Sequence, residues 1–104
     1  QCGVRFDRVL VSGLPRTVAE ATGYGATSRH DDVLAFCRDN AARTDLVRME
    51  TMGDSAEGRD QAVLIVSDRG ALTPEVARAQ GKVIVLCQAN IHAGEVEGKE
   101  AMLA

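Results

Sequence analysis

The sequence predicts an α/β protein built on a mixed sheet flanked by helices. Val83-Ile84-Val85-Leu86 is a nearly unbroken apolar run, the pattern of a strand covered on both faces in a parallel or mixed sheet. Two further apolar segments, residues 46–52 and 61–67, are joined by a stretch rich in turn formers, which favours an antiparallel pair. Helical signals separate and follow these strands, giving the order β, β, short α, β, α after a first helix.

Residues 1–21 read as an N-terminal arm or short strand, with Val9-Leu10-Val11 ended by Gly13-Leu14-Pro15. Residues 17–26 read as irregular, because Gly23 and Gly25 flank Tyr24 and each glycine costs a helix about 1 kcal/mol relative to alanine. Tyr24 is expected to pack rather than to line a cleft. The first helix starts near Ser28, which can cap it. Asp31 and Asp32 suit its positive end, Val33, Leu34, Cys37 and Ala41 recur at helical spacing, and it ends between residues 40 and 44. His30 reads as a surface histidine in a solvated run, Arg29-His30-Asp31-Asp32.

Gly53-Asp54-Ser55-Ala56-Glu57-Gly58-Arg59-Asp60 is a turn by composition. It lacks the Gly-Lys-Ser/Thr ending of a phosphate loop. Ser55 lies between two strands rather than at a strand-to-helix elbow, so it is not a hydrolase nucleophile. Asp68-Arg69-Gly70 turns the chain again, Thr73-Pro74-Glu75 opens a short helix with Pro at its first position, and Gly81 closes it. A strand over residues 83–89 follows, then a helix from about Val96 with no stop signal before Ala104. The chain therefore reads as cut within a helix.

Composition narrows the function classes. Hydrophobic residues at 45% and charged residues at 26% fit a globular protein rather than a disordered one. A net charge of -3 and aromatic content of only 3% argue against a nucleic-acid or anionic-membrane partner. No apolar run approaches the roughly 20 residues needed to span a bilayer. Gln1-Cys2 is compatible with the start of a mature secreted or periplasmic chain, and the sequence assigns no compartment. Three cysteines without CxxC spacing give neither a disulfide framework nor a thiolate zinc site. Cys37 and Cys87 are expected as small buried hydrophobes, leaving Cys2 available for modification or pairing.

Chemistry concentrates after the apolar run, in Asn90-Ile91-His92-Ala93-Gly94-Glu95-Val96-Glu97-Gly98-Lys99-Glu100. Open α/β sheets place ligand sites beyond the carboxyl ends of their strands, where His92 and Glu95 fall. Imidazole and carboxylate are both Zn²⁺ ligands, and a spacing of three lets one turn bring them to one ion. Gly94 is expected to make the reversal between them, lacking a Cβ. His30 is the only other histidine, so no third ligand is evident.

This segment, together with Gly81-Lys82-Val83-Ile84-Val85 before it and Met52-Gly53-Asp54-Ser55-Ala56-Glu57-Gly58-Arg59 further back, resembles the N-terminal part of a zinc carboxypeptidase domain of the M14 type. The resemblance covers residues 22–104. It implies that His92 and Glu95 are the first two ligands of one Zn²⁺, and that Gly53, Ser55, Glu57, Gly58 and Arg59 form a structural turn between strands. It also implies a zinc carboxypeptidase-like fold that is incomplete here. The third ligand histidine, the arginine that polarises the scissile carbonyl, the groups that hold the substrate's terminal carboxylate and the glutamate base all lie downstream in the family. The implied activity is that of a metallocarboxypeptidase-like hydrolase, cleaving a peptide or amide bond with a zinc-activated water. Its partners would be a peptide or peptide-like substrate and the remainder of the catalytic domain, and the 104 residues alone are expected to be inactive. In the digestive members an arginine commonly precedes the ligand glutamate. Gly94 stands there, which leaves peptide, peptidoglycan-fragment and amide substrates open. The alternatives are a related domain that has lost catalysis and acts in binding, and an unrelated metal-free α/β domain.

Overall fold

The computed structural model describes residues 15–104, so the short strand expected at Val9-Leu10-Val11 lies outside the described residues. The first described element is a helix that the sequence does not announce, α1 (Val18–Ala21). Thr17 caps it: its hydroxyl accepts from the Glu20 amide at 3.1 Å, and the Glu20 carboxylate accepts from the Thr17 amide at 2.9 Å. This reciprocal closure satisfies two donors that a helix start otherwise leaves orphaned. Gly23 and Tyr24 then both adopt positive φ, +60° and +66°, which ends the helix and leaves Tyr24 exposed rather than packed.

Helix α2 (His30–Arg43) starts two residues later than expected. Ser28 does not cap it. The Asp32 carboxylate instead accepts from the Arg29 amide at 2.8 Å, while Ser28 is engaged elsewhere. Leu34 and Cys37, one helical turn apart, are buried, and α2 packs on both strands of the sheet.

The sheet consists of β1 (Val47–Asp54) and β2 (Asp60–Val66), antiparallel as predicted, in a register that opposes Val47 to Val66 and Met49 to Leu64. The register slips between Thr51 and Asp54, where Gly53 at φ +120° absorbs the irregularity. Residues 55–59 close the hairpin. The Ser55 amide donates to the Arg59 carbonyl at 2.8 Å, the Arg59 amide donates to the Ser55 hydroxyl at 3.2 Å, and Gly58 takes φ +71°. Ser55, Glu57, Gly58 and Arg59 are thus a turn held by its own polar groups.

A single 3-10 turn at Asp68–Gly70 leads to α3 (Pro74–Ala79). Thr73 caps α3, its hydroxyl accepting from the Val76 amide at 3.3 Å. Gly81 at φ +67° closes it with amide bonds from Gly81 to Arg78 and from Lys82 to Ala77. The Lys82 ammonium then pairs with Asp68.

The main correction concerns the segment after Gly81. Residues 83–89 form no regular element and pair with no strand among the described residues, and the apolar side chains are exposed, Val83 by 87% and Leu86 by 81%. The α/β class holds, compatible with an incomplete form of the expected fold, but the described sheet has two strands rather than a mixed set. The physical reason is lateral: a strand needs a neighbour for its amides, and neither edge of the β1–β2 pair reaches this segment. Cys87 shares this exposure, against the expectation that it is buried, whereas Cys37 is buried. Among the described residues the buried apolar ones are Ala19, Leu34, Cys37, Ala71 and Ala77, a thin core in which Leu34 is the one large side chain. Helix α4 (Val96–Leu103) closes the described chain.

The His92–Glu95 turn, a candidate metal centre

The unpaired segment ends at Asn90, which adopts φ +60°. Asparagine tolerates this left-handed conformation better than most residues, and its side chain also fixes the turn, its Nδ2 donating to the His92 carbonyl at 2.9 Å. The same carbonyl accepts from the Glu95 amide at 3.0 Å. One oxygen, bound from both sides, thus sets the path of residues 90–95.

Within that turn the sequence-predicted pair comes together. The His92 Nδ1 lies 2.9 Å from the Glu95 Oε1. Both side chains face solvent, 76% and 56% exposed. Glu95 is also the residue that caps α4, with φ -89° and ψ 66°, so the helix start positions the carboxylate and the Asn90 turn positions the imidazole. Gly94 is, with Ala93, a central residue of the turn that the Glu95 amide closes on the His92 carbonyl, but its φ lies outside the left-handed region and a Cβ there would meet nothing within 4 Å, so the turn does not require glycine; the positive φ of this stretch falls at Asn90.

The donor set suits a small, borderline-soft cation. His92 and Glu95 would be the residues that hold a zinc ion here, and such an ion would supply a Lewis acid. Nδ1 is the nitrogen facing Glu95, which leaves Nε2 free to donate to an acceptor that would fix the tautomer. Among the described residues no third His, Cys, Asp or Glu joins the pair to make a three-ligand group. His30 is committed elsewhere: its Nε2 meets the Asp60 carbonyl at 2.8 Å and its Nδ1 the Asp31 carboxylate at 3.3 Å. These two contacts, the Asp60 carbonyl first, hold its pKa above the ordinary imidazole value.

The groove of about 280 Å³ lined by Phe36, Leu64, Val66 and Leu103 is apart from this chemistry and includes neither His92 nor Glu95. Residues that the sequence reading missed lie at the other end of the site. Glu100 and Lys99 on α4 reach back to Thr27 and Ser28, more than seventy positions earlier in the chain. No periodicity or motif announces a contact of that separation.

A hairpin packs under one helix, and an unpaired segment then delivers an imidazole and a carboxylate to a helix start. The family model for zinc carboxypeptidases matches residues 33–104, which takes in most of α2 and everything after it. The chain belongs to the zinc carboxypeptidase family. No curated protein and no solved structure matches it.

Proposed function

We propose that this chain contributes His92 and Glu95 to the metal centre of a zinc-dependent peptidase that hydrolyses a peptide or amide bond. The observation that carries the reading is the 2.9 Å approach of the His92 Nδ1 to the Glu95 Oε1 at the start of α4, in a chain of the zinc carboxypeptidase family. Zinc bound there would supply a Lewis acid and a water of lowered pKa. The chain's own part is to present an imidazole and a carboxylate side by side on a turn whose carbonyl is held by Asn90. Their exposure leaves the outer side of the pair open to a third ligand and to substrate. The described residues bring no third donor to the pair, and in this reading a third ligand and a general base would complete the centre.

Zinc titration against a chromophoric chelator, comparing the protein with His92→Ala and Glu95→Ala, tests this reading. One zinc equivalent is expected in the parent chain, with strong weakening in each variant. Undiminished binding in His92→Ala would refute the assignment.

A further inference from the structure

Helix α4 is held by polar rather than apolar contacts. None of its residues is buried, and eight residues are too few for a helix to be stable by itself in water. What it has is a clamp. The Glu100 Oε1 accepts from the Thr27 hydroxyl and from the Ser28 amide, both at 2.6 Å, and its Oε2 accepts from the Ser28 hydroxyl at 3.1 Å. Lys99 adds a bond from its ammonium to the Ser28 carbonyl. Both charged side chains are only 15% exposed, and Ser28 is buried. On another side of the helix, Gly98 sits so close to Ala89 that an added Cβ would lie 3.3 Å from the alanine's own. The loop that carries His92 and Glu95 is therefore closed at its base by Ala89 and Gly98.

We infer that Glu100 is a positioning residue for the His92–Glu95 pair: by gripping Thr27 and Ser28 it keeps α4 wound, so that the helix start holds Glu95 against His92. The inference rests on the metal-site reading above. The lever is short. Glu95 and Glu100 are five residues apart, about 7.5 Å along a helix. A tilt of about 10° at the clamp displaces Glu95 by roughly 1.3 Å, more than the ~0.5 Å a ligand constellation tolerates. If the clamp is lost and the first turn unwinds, the amide bond from Glu95 to the His92 carbonyl goes with it, and the two donors separate.

The test uses the 104-residue chain with Glu100→Ala, Glu100→Gln and Thr27→Val, with two readouts. The first is the NMR signal of the His92 ring in the metal-free protein at fixed pH, which reports its bond to Glu95. The second is zinc affinity by chelator competition. In Glu100→Ala the ring signal is expected to move to that of an unpartnered histidine while β1 and β2 keep their amide dispersion, and zinc affinity to fall roughly tenfold or more, as for removal of a group that orients a ligand. Glu100→Gln retains an acceptor for Thr27 and Ser28 and should restore most of both. If Glu100→Ala does not fold, Thr27→Val should show the same ring shift in smaller degree. A His92 ring signal and zinc affinity unchanged in the folded variants, however much their stability falls, would overturn the inference and leave Glu100 as scaffold alone. Zinc binding indifferent to His92→Ala refutes the metal reading instead, and the metal-free ring signal still decides the role of Glu100.

Discussion

His92 and Glu95 meet because one carbonyl, that of His92, is held by both the Asn90 side chain and the Glu95 amide. Asn90 and Gly94 should therefore respond to substitution in opposite ways. Asn90→Val forces a β-branched residue into φ +60° and removes a hydrogen bond, costing roughly 1–2 kcal/mol, and zinc binding should weaken with it. Gly94→Ala meets open space and should stay within about 0.5 kcal/mol of the parent. Urea unfolding and zinc titration of the two variants check this; equal effects would remove Asn90 from its role. The ligand pair was legible from spacing, since three residues suffice for one turn. The conformation of Asn90 was not, because glycine is the usual sign of positive φ and here asparagine supplies it. A second contrast separates the thiols. Burial pushes the Cys37 thiol pKa up, opposed by the nearby Arg38, so it carries less reactive thiolate, whereas Cys87 is exposed. Iodoacetamide labelling followed by peptide mass analysis should modify Cys87 well before Cys37.

Two helices are tied at their starts or ends by ionisable side chains, and each tie has its own pH window. At α2, the Asp60 carbonyl and the Asp31 carboxylate raise the pKa of His30. The stability this adds is complete below the unfolded value of about 6.5 and is lost as pH rises through the raised folded value. At α4, burial raises the pKa of Glu100, but the Thr27 hydroxyl, the Ser28 amide and hydroxyl and the Lys99 ammonium outweigh it and hold it below the usual carboxylate range. That stability is complete above about pH 4.3 and is lost as pH falls through the depressed value. The destabilisation by His30→Ala in urea melts should thus be larger near pH 5.5 than near pH 8, and a gap that widens at high pH would contradict the Asp60 contact. Most elements were legible because their signals are local: the α3 cap at Thr73, Pro74 and Gly81, or the hairpin turn at residues 55–59. Helix α1 escaped because its reciprocal cap, Thr17 with Glu20, was outweighed by the glycines that follow. The clamp at Ser28 escaped because its partner is 72 positions away.

For the whole molecule, the exposed apolar segment of residues 83–86 matters most. Composition predicts a buried strand here, whereas among the described residues the segment forms no strand and is exposed, because a single sequence does not say whether pairing neighbours are at hand. Burying a side chain such as Val85 or Leu86 contributes on the order of 1.5 kcal/mol or more, and an extended, apolar backbone without partners is a template for pairing. Sedimentation of the 104 residues should show association that grows with concentration, and the double variant Ile84→Lys, Leu86→Lys should shift the population toward monomer. With so small a core, urea unfolding should give less than about 5 kcal/mol. An ideal monomer with an ordinary cooperative transition would speak against both expectations. The segment is also not a loose tail. One end is fixed where Lys82 pairs with Asp68 and its amide bonds to Ala77, the other where Ala89 meets Gly98. As a polymer it is a short bridge between two piers, and it has already given up part of the 1–2 kcal/mol per residue that ordering a free chain costs. A single peptide-bond cut between residues 83 and 88 would return that freedom to both sides at once and release the base of the His92 turn. The same cut at residues 55–59 would leave the paired strands laced together.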